Sequence, residues 1–139
     1  MPRCHAERTT PYPQIKKLLE ILSGEGVLRG VVSNKGDSAV QDFVASYFPG
    51  LLNIAVGERE DVRRKPAPDT VLKVMAELNV NTINSVYVGD SEVDIETAAN
   101  VGCDCIAVSW GFRDRDFLVK RGARIIADST EELAEAILL

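Results

Sequence analysis

Apolar positions along the chain follow two periods that alternate, one helical and one strand-like. Ile15, Leu18, Leu19 and Leu22 fall at helical spacing behind Pro13, a favourable first-turn residue, and Gly24 and Gly26 close that run. Leu28 to Val32 then reads as a buried strand ending at Ser33. A second helical stripe is formed by Val40, Phe43, Val44 and Tyr47, with Asp37 or Ser38 as its cap and Pro49-Gly50 as its stop. Asn53 to Val56 is a short strand, and Pro66 and Pro68 introduce a third helix whose inner face is Val71, Leu72, Met75 and Leu78. Val86 to Val88 is the next strand, and the helix behind it carries Ile95, Ala98 and Ala99 before Gly102 ends it. Cys105 to Val108 and Arg124 to Ala127 read as the last strands. Ser129 with Glu132 forms a capping box that opens a final helix with Leu133, Ala136 and Ile137 facing inward. Strands that alternate with helices through short connections predict βα units and a parallel sheet, hence an α/β fold. Met1 to Pro11 carries neither period and reads as the tail of another element.

Composition narrows the class of protein. A chain of 139 residues, 45% apolar and 27% charged, is expected to form one soluble globular domain. No stretch approaches the roughly 18 apolar residues of a membrane span, and the N-terminus lacks the apolar run of a signal peptide, so a cytoplasmic location without membrane partners is expected. Net charge is −5 with no basic block, which disfavours nucleic acid, although Arg63-Arg64-Lys65 could meet a small phosphorylated ligand. The three cysteines are an odd number, and Cys103 and Cys105, two apart in a strand, share a face and read as reduced core thiols. With His5 the one imidazole in the chain, a zinc site is not expected.

Candidate chemistry lies where strands end, because the ligand crevice of an open parallel sheet lies outside the strands' carboxyl ends. Val86-Tyr87-Val88-Gly89-Asp90-Ser91-Glu92-Val93-Asp94 runs an apolar strand straight into carboxylates at a helix start. Asp90 is placed for a hard cation, since Mg²⁺ takes only one or two carboxylates with water and substrate oxygens. Asp94 fits either a helix cap with Ser91 or a partner to a metal or lysine. Ser33 and Asn34 follow another strand, where a hydroxyl and backbone N–H groups can hold an anionic oxygen, or simply form a turn. Lys65, fixed by the prolines after it, stands before a helix N-terminus that already favours anions. A hydroxyl, a lysine and paired acids make a set suited to phosphoryl transfer, in which catalysis is mostly positioning and charge neutralisation.

These residues, in this order, resemble the haloacid dehalogenase-like superfamily and within it the phosphoglycolate phosphatase group. The likeness runs from Thr10 onward through Pro11-Tyr12-Pro13, Val31-Val32-Ser33-Asn34-Lys35, Arg64-Lys65-Pro66-Ala67-Pro68-Asp69, Val88-Gly89-Asp90-Ser91-Glu92-Val93-Asp94 and Ser109-Trp110-Gly111-Phe112. The resemblance implies a three-layer Rossmann-like parallel sheet and Mg²⁺-dependent hydrolysis of small phosphate monoesters through an aspartyl-phosphate. It implies that Ser33, with Asn34, binds the transferring phosphoryl group, that Lys65 steadies nucleophile and phosphate, and that Asp90 binds Mg²⁺ with Asp94 and Ser91 in support. A small phosphorylated metabolite is the expected partner. Trp110 and Phe112 could line the pocket entrance or pack in the core.

The chain departs from the family pattern in one respect. Members begin with a strand ending in Asp-x-Asp, whose first aspartate attacks phosphorus, followed by a helical cap; no aspartate precedes Asp37 here. Residues 1–10 are accordingly expected to be the return from a cap and 11–139 the core domain, inactive alone. The family's first strand lies between those ending at Ser33 and Asp90, so its absence should leave a gap in the sheet or force those strands together, with self-association through exposed edges. A non-catalytic phosphate-binding or self-associating remnant is the alternative reading. A receiver-type signalling domain is a weaker one, because the strand from Leu28 to Val32 ends in Ser33 rather than an acid.

Overall fold

The computed structural model describes residues 13–60 and 63–138, so the expected cap remnant at residues 1–10, with Cys4 and His5, lies outside the described residues. Six helices and five strands alternate: α1 (Pro13–Gly24), β1 (Gly30–Gly36), α2 (Asp37–Tyr47), β2 (Ile54–Glu58), α3 (Asp69–Leu78), β3 (Val86–Gly89), α4 (Glu92–Val101), β4 (Asp104–Val108), α5 (Arg115–Lys120), β5 (Ile125–Ala127) and α6 (Thr130–Leu138). All strand pairs are parallel. The expected α/β fold is present.

The strands do not form one sheet. β1 pairs with β2, and β3, β4 and β5 form a second sheet in that order, so no ladder joins β1 to β3. The expected gap is therefore open between the strands that lead to Ser33 and Asp90.

Helices cover both faces, and each face has its own core. Leu18 and Leu22 of α1 meet Ile106 and Val108 of β4, Ala127 of β5 and Leu133 of α6, with Val86 and Val88 of β3 packed against them. On the opposite face, Val71 and Met75 of α3 meet Tyr87 of β3 and Ala98 of α4, with Cys103 and Cys105 alongside. The alternation Val86, Tyr87, Val88 thus splits between the two layers, as a pleated strand requires. Both cysteines are unbridged and half-buried, and burial pushes the Cys105 thiol up to about 12, the behaviour of a core thiol.

Several predicted details differ. β1 starts at Gly30 rather than Leu28, and Leu28 is exposed, because the chain first turns through Gly26 (φ 78°) and Val27 before it pairs with β2. The α2 stripe holds only Val40 fully buried, and neither Asp37 nor Ser38 is the cap; the cap residue is Gly36, and Asp37, in the first turn, accepts the Gly57 N–H at 2.8 Å. In α3 Leu72 is exposed and Val74 is buried in its stead, since the inward stripe is Val71, Val74 and Met75. Ala99 is likewise exposed, while Asp94, Thr97 and Ala98 form the buried face of α4. α5, not anticipated, begins at Asp114, whose side chain accepts the Phe117 N–H. The α6 capping box forms in modified register: Ser129 Oγ accepts the Glu132 N–H, and Glu132 reaches back to the Asp128 N–H. No helix among the described residues is long and apolar enough to cross a membrane.

Candidate active site

Three separate segments deliver the predicted side chains to one place. The C-terminal part of β1 brings Ser33, Asn34 and Lys35, the turn before α3 brings Arg64 and Lys65, and the end of β3 with the start of α4 brings Asp90, Ser91 and Asp94. Together with Phe112 they line a cleft of about 320 Å³. That is the small end of the range for ligand sites, suited to a compact polar molecule. Ser33, Asn34, Lys65, Asp90, Ser91 and Asp94 all lie at this cleft.

Burial separates the members. Asp90 and Asp94 are 0% and 1% exposed, and Lys65 is 8% exposed, unusual for charged groups unless they are paired. Lys65 Nζ donates to Asp94 Oδ1 at 3.0 Å and to the Tyr87 hydroxyl at 3.0 Å, and Tyr87 in turn donates to Asp94 Oδ1 at 2.9 Å. The other Asp94 oxygen accepts from the Asp90 N–H at 3.0 Å and from Ser91 Oγ at 3.1 Å. Burial alone would raise the Asp94 carboxyl, but the Lys65 charge and these hydrogen bonds outweigh it and hold it below the usual range. Burial, and then the negative charge of Asp94, push the Tyr87 phenol well above its ordinary value, so it stays a neutral donor. Of the two roles the sequence allowed, Asp94 partners the lysine; Ser91 is the cap residue of α4 but makes no side-chain capping bond, and Asp94 instead ties the first turn of α4 to the end of β3 through the Asp90 N–H.

Asn34 fixes the lysine from the main-chain side. Its amide donates to the Lys65 carbonyl at 3.2 Å and accepts the Lys65 N–H at 2.9 Å. These two bonds fix the Asn34 amide against the Lys65 main chain and use one of its two N–H donors. Ser33 Oγ accepts the Lys35 N–H at 3.1 Å, folding the chain just past β1. Of the basic run, Arg63 is exposed and bidentate to Asp69, and Arg64, at the cleft rim, is exposed and faces Glu58 at 3.5 Å, so of the three only Lys65 is buried.

A loop over β4 completes the site. The Phe112 N–H donates to Asp90 Oδ2 at 3.1 Å and the Arg113 N–H to the Asp90 carbonyl at 3.1 Å. Gly111 lies so close that a Cβ there would overlap the Asp90 carboxylate, and a Cβ at Gly89 would overlap that of Asp94. Phe112 is 48% exposed and lines the cleft, whereas Trp110 packs against the core, which divides the two roles left open for them. Arg113 holds the loop down: it forks onto Glu92 at 3.1 and 3.2 Å and lies over the rings of Phe112 and Phe117. That pairing, through the Arg113 hydrogen bond first, lowers the Glu92 carboxyl. Sequence reasoning missed Tyr87, Glu92 and Arg113 as site components. Of these, Tyr87 carried a signal, because a tyrosine in a buried strand needs a partner for its hydroxyl.

No group of three or more His, Cys, Asp or Glu side chains with metal-binding spacing exists among the described residues. A cation here would depend on the buried carboxylate of Asp90 with water and a bound anion, a donor set that suits Mg²⁺ and not zinc.

Parallel strands flanked by helices, with acids and a lysine gathered at the strand ends, define an α/β protein of Rossmann-like type. The chain belongs to the haloacid dehalogenase-like hydrolase family, whose model matches residues 2–108. Among curated proteins it is 26% identical over 136 residues to phosphoglycolate phosphatase of Salmonella typhi, covering 94% of this chain and 52% of that protein. To phosphoglycolate phosphatase of Aquifex aeolicus it is 31% identical over 105 residues, 75% of this chain and 49% of that one. A crystal structure from Lactobacillus delbrueckii subsp. bulgaricus, provisionally assigned as a phosphoglycolate phosphatase, superposes with a TM-score of 0.89 at 48% identity, over 91% of this chain and 53% of that one. The chain thus spans about half the length of the curated relatives it matches.

Proposed function

We propose that this chain carries the binding half of a Mg²⁺-dependent phosphatase of the phosphoglycolate phosphatase type, acting on small phosphate monoesters, and that alone it does not turn over. The observation that carries this reading is the convergence of Ser33, Lys65 and Asp90 from three segments on one small cleft. The family membership and the phosphoglycolate phosphatases among its relatives support the same substrate class.

Each residue has a role that its surroundings allow. The Ser33 hydroxyl donates to a phosphoryl oxygen while its own oxygen holds the Lys35 N–H. Lys65 has three N–H donors, of which Tyr87 and Asp94 take two, and the third points its charge to the anion. Asp90 would hold Mg²⁺. Bound there, the ion would neutralise phosphate charge and so allow an anionic nucleophile to approach. Tyr87, Asn34 and Asp94 position Lys65, and Gly111 with Phe112 positions Asp90.

The covalent step of the family forms a carboxylate O–P bond as the P–O bond to the alcohol breaks, after which water releases phosphate. Among the described residues the cleft acids are Asp90, Glu92 and Asp94. Glu92 is bound to Arg113, Asp94 is enclosed by Lys65, Tyr87 and Ser91, and Asp90 is held from Phe112. None is offered as a nucleophile.

Hydrolysis of a generic aryl phosphate by the purified, mass-verified 139-residue protein with Mg²⁺ is the test. The expected rate equals that of buffer and Mg²⁺ alone. Turnover that Asp90→Asn abolishes would overturn the inactivity.

A further inference from the structure

The cleft is rich in acid for a place that is to hold an anion. Asp90, Glu92 and Asp94 all line it, from the junction of β3 with α4. Carboxylates gathered there repel a phosphate unless cations offset them. Lys65 offsets Asp94 at 3.0 Å. Glu92 opens α4, where the helix dipole favours its charge but does not remove it from the cleft. Its counter-charge comes from a separate segment, the loop after β4: Arg113 Nε donates to Glu92 Oε1 at 3.1 Å and Arg113 Nη2 to Glu92 Oε2 at 3.2 Å.

That guanidinium is ordered beyond what holding the loop requires. The loop is already tied by its main chain, through the Phe112 N–H on Asp90 Oδ2 and the Arg113 N–H on the Asp90 carbonyl, and α5 behind it is anchored by the fully buried Leu118. The Arg113 side chain adds a fork onto Glu92 and lies over two rings, 4.3 Å from the centroid of Phe112 and 4.4 Å from that of Phe117. The side chains of the pair are 35% and 27% exposed, and ion pairs so open to water add little to stability. The larger consequence of the pair is the charge it cancels beside Asp90.

We propose that Arg113 is a specificity-determining residue of the cleft: by cancelling the Glu92 charge it admits phosphate, and by occupying that carboxylate it keeps it from a divalent cation. The cleft then takes a cation together with an anion in preference to a bare cation. The inference rests on the phosphate-binding reading of the cleft and adds to it what sets the balance between the two ligands.

The test is calorimetric titration of the 139-residue protein with inorganic phosphate in the absence of metal, and separately with Mg²⁺ in the absence of phosphate. Arg113→Met is expected to weaken phosphate binding about fivefold at low ionic strength, the scale of one charge acting on a dianion through water, and to strengthen Mg²⁺ binding. Glu92→Gln should do the reverse. The double variant should return both affinities to near wild type, and so should Arg113→Lys, which keeps the charge but loses the fork. A pair that only latches the loop gives another pattern: both single variants and the double weaken both ligands together, and lysine does not rescue. That pattern would overturn the proposal. Should Arg113→Met not unfold cooperatively in urea, Glu92→Gln decides, and phosphate binding that it leaves unchanged or weakens would overturn the proposal equally. Wild-type protein that binds neither ligand would overturn the phosphatase reading and this inference with it, whereas wild-type binding with the two affinities moving in parallel among the variants would overturn this inference alone.

Discussion

Lys65 shows how much one side chain depends on its surroundings. Its ammonium is buried against Asp94, and removing one member of such a pair leaves the other charge uncompensated. Lys65→Met is therefore expected to cost about 3–5 kcal/mol in urea unfolding. The double substitution Lys65→Met with Asp94→Leu should cost clearly less than the sum of the singles, and strict additivity would show that the pair is not coupled. The pH dependence has a defined sign. Asp94 is depressed in the folded protein from an ordinary value of 3.8, so as pH falls below about that value the unfolded chain takes up the proton first. The stabilisation is present above that window and is lost as pH falls through the lower, folded value. Asp94→Asn should flatten this acid limb of a stability profile measured by chemical denaturation, and an unchanged limb would contradict the assignment. Lys65 was legible in the sequence through the prolines after it and the helix they open. Tyr87 was not singled out, because its neighbours Val86 and Val88 make it read as ordinary core, and the identity of its hydroxyl's partners depends on which face of β3 it takes.

At the scale of elements, the strand ends carry the site and the loop after β4 holds it in shape. Gly111 is the sensitive point, since a methyl group there meets the Asp90 carboxylate. Gly111→Ala should cost about 1–3 kcal/mol by overpacking and should weaken anion binding with it; wild-type values of both, by urea titration and calorimetry, would show that the loop yields easily. Alternation of strand and helix was readable from periodicity, and the acidic end of β3 from Gly89-Asp90. The true start of β1 was not, because Leu28 has the hydrophobicity of a strand residue but precedes the pairing with β2. Leu72 misled for a related reason: Val71, Leu72, Met75 and Leu78 fit one helical stripe, and only the packing against Tyr87 and Ala98 selects Val71 and Met75 and leaves Leu72 outside. α5 is short and half-exposed, so no periodic signal announced it.

For the molecule as a whole, the division of the sheet is the dominant fact. The cleft that gathers Ser33, Lys65 and Asp90 bridges the two sheets, with β1 on one side and β3 on the other. Its geometry therefore depends on Lys65, which is fixed to β1 by Asn34 and reaches across the gap to Tyr87 and Asp94 through the buried charges. These polar links do what backbone ladders do elsewhere in the fold. The missing ladder was legible in the sequence only as the absence of an aspartate before Asp37, and in the fold it is the gap between β1 and β3. We propose that these residues form a phosphate-binding site that depends on Asp90 for its metal. Calorimetric titration of inorganic phosphate into the 139-residue protein, with and without Mg²⁺ and beside Asp90→Asn, tests it most directly. Binding by the wild-type protein that Mg²⁺ strengthens, with the strengthening lost in Asp90→Asn, is the predicted result; no phosphate binding, or binding that neither Mg²⁺ nor Asp90→Asn alters, would contradict it.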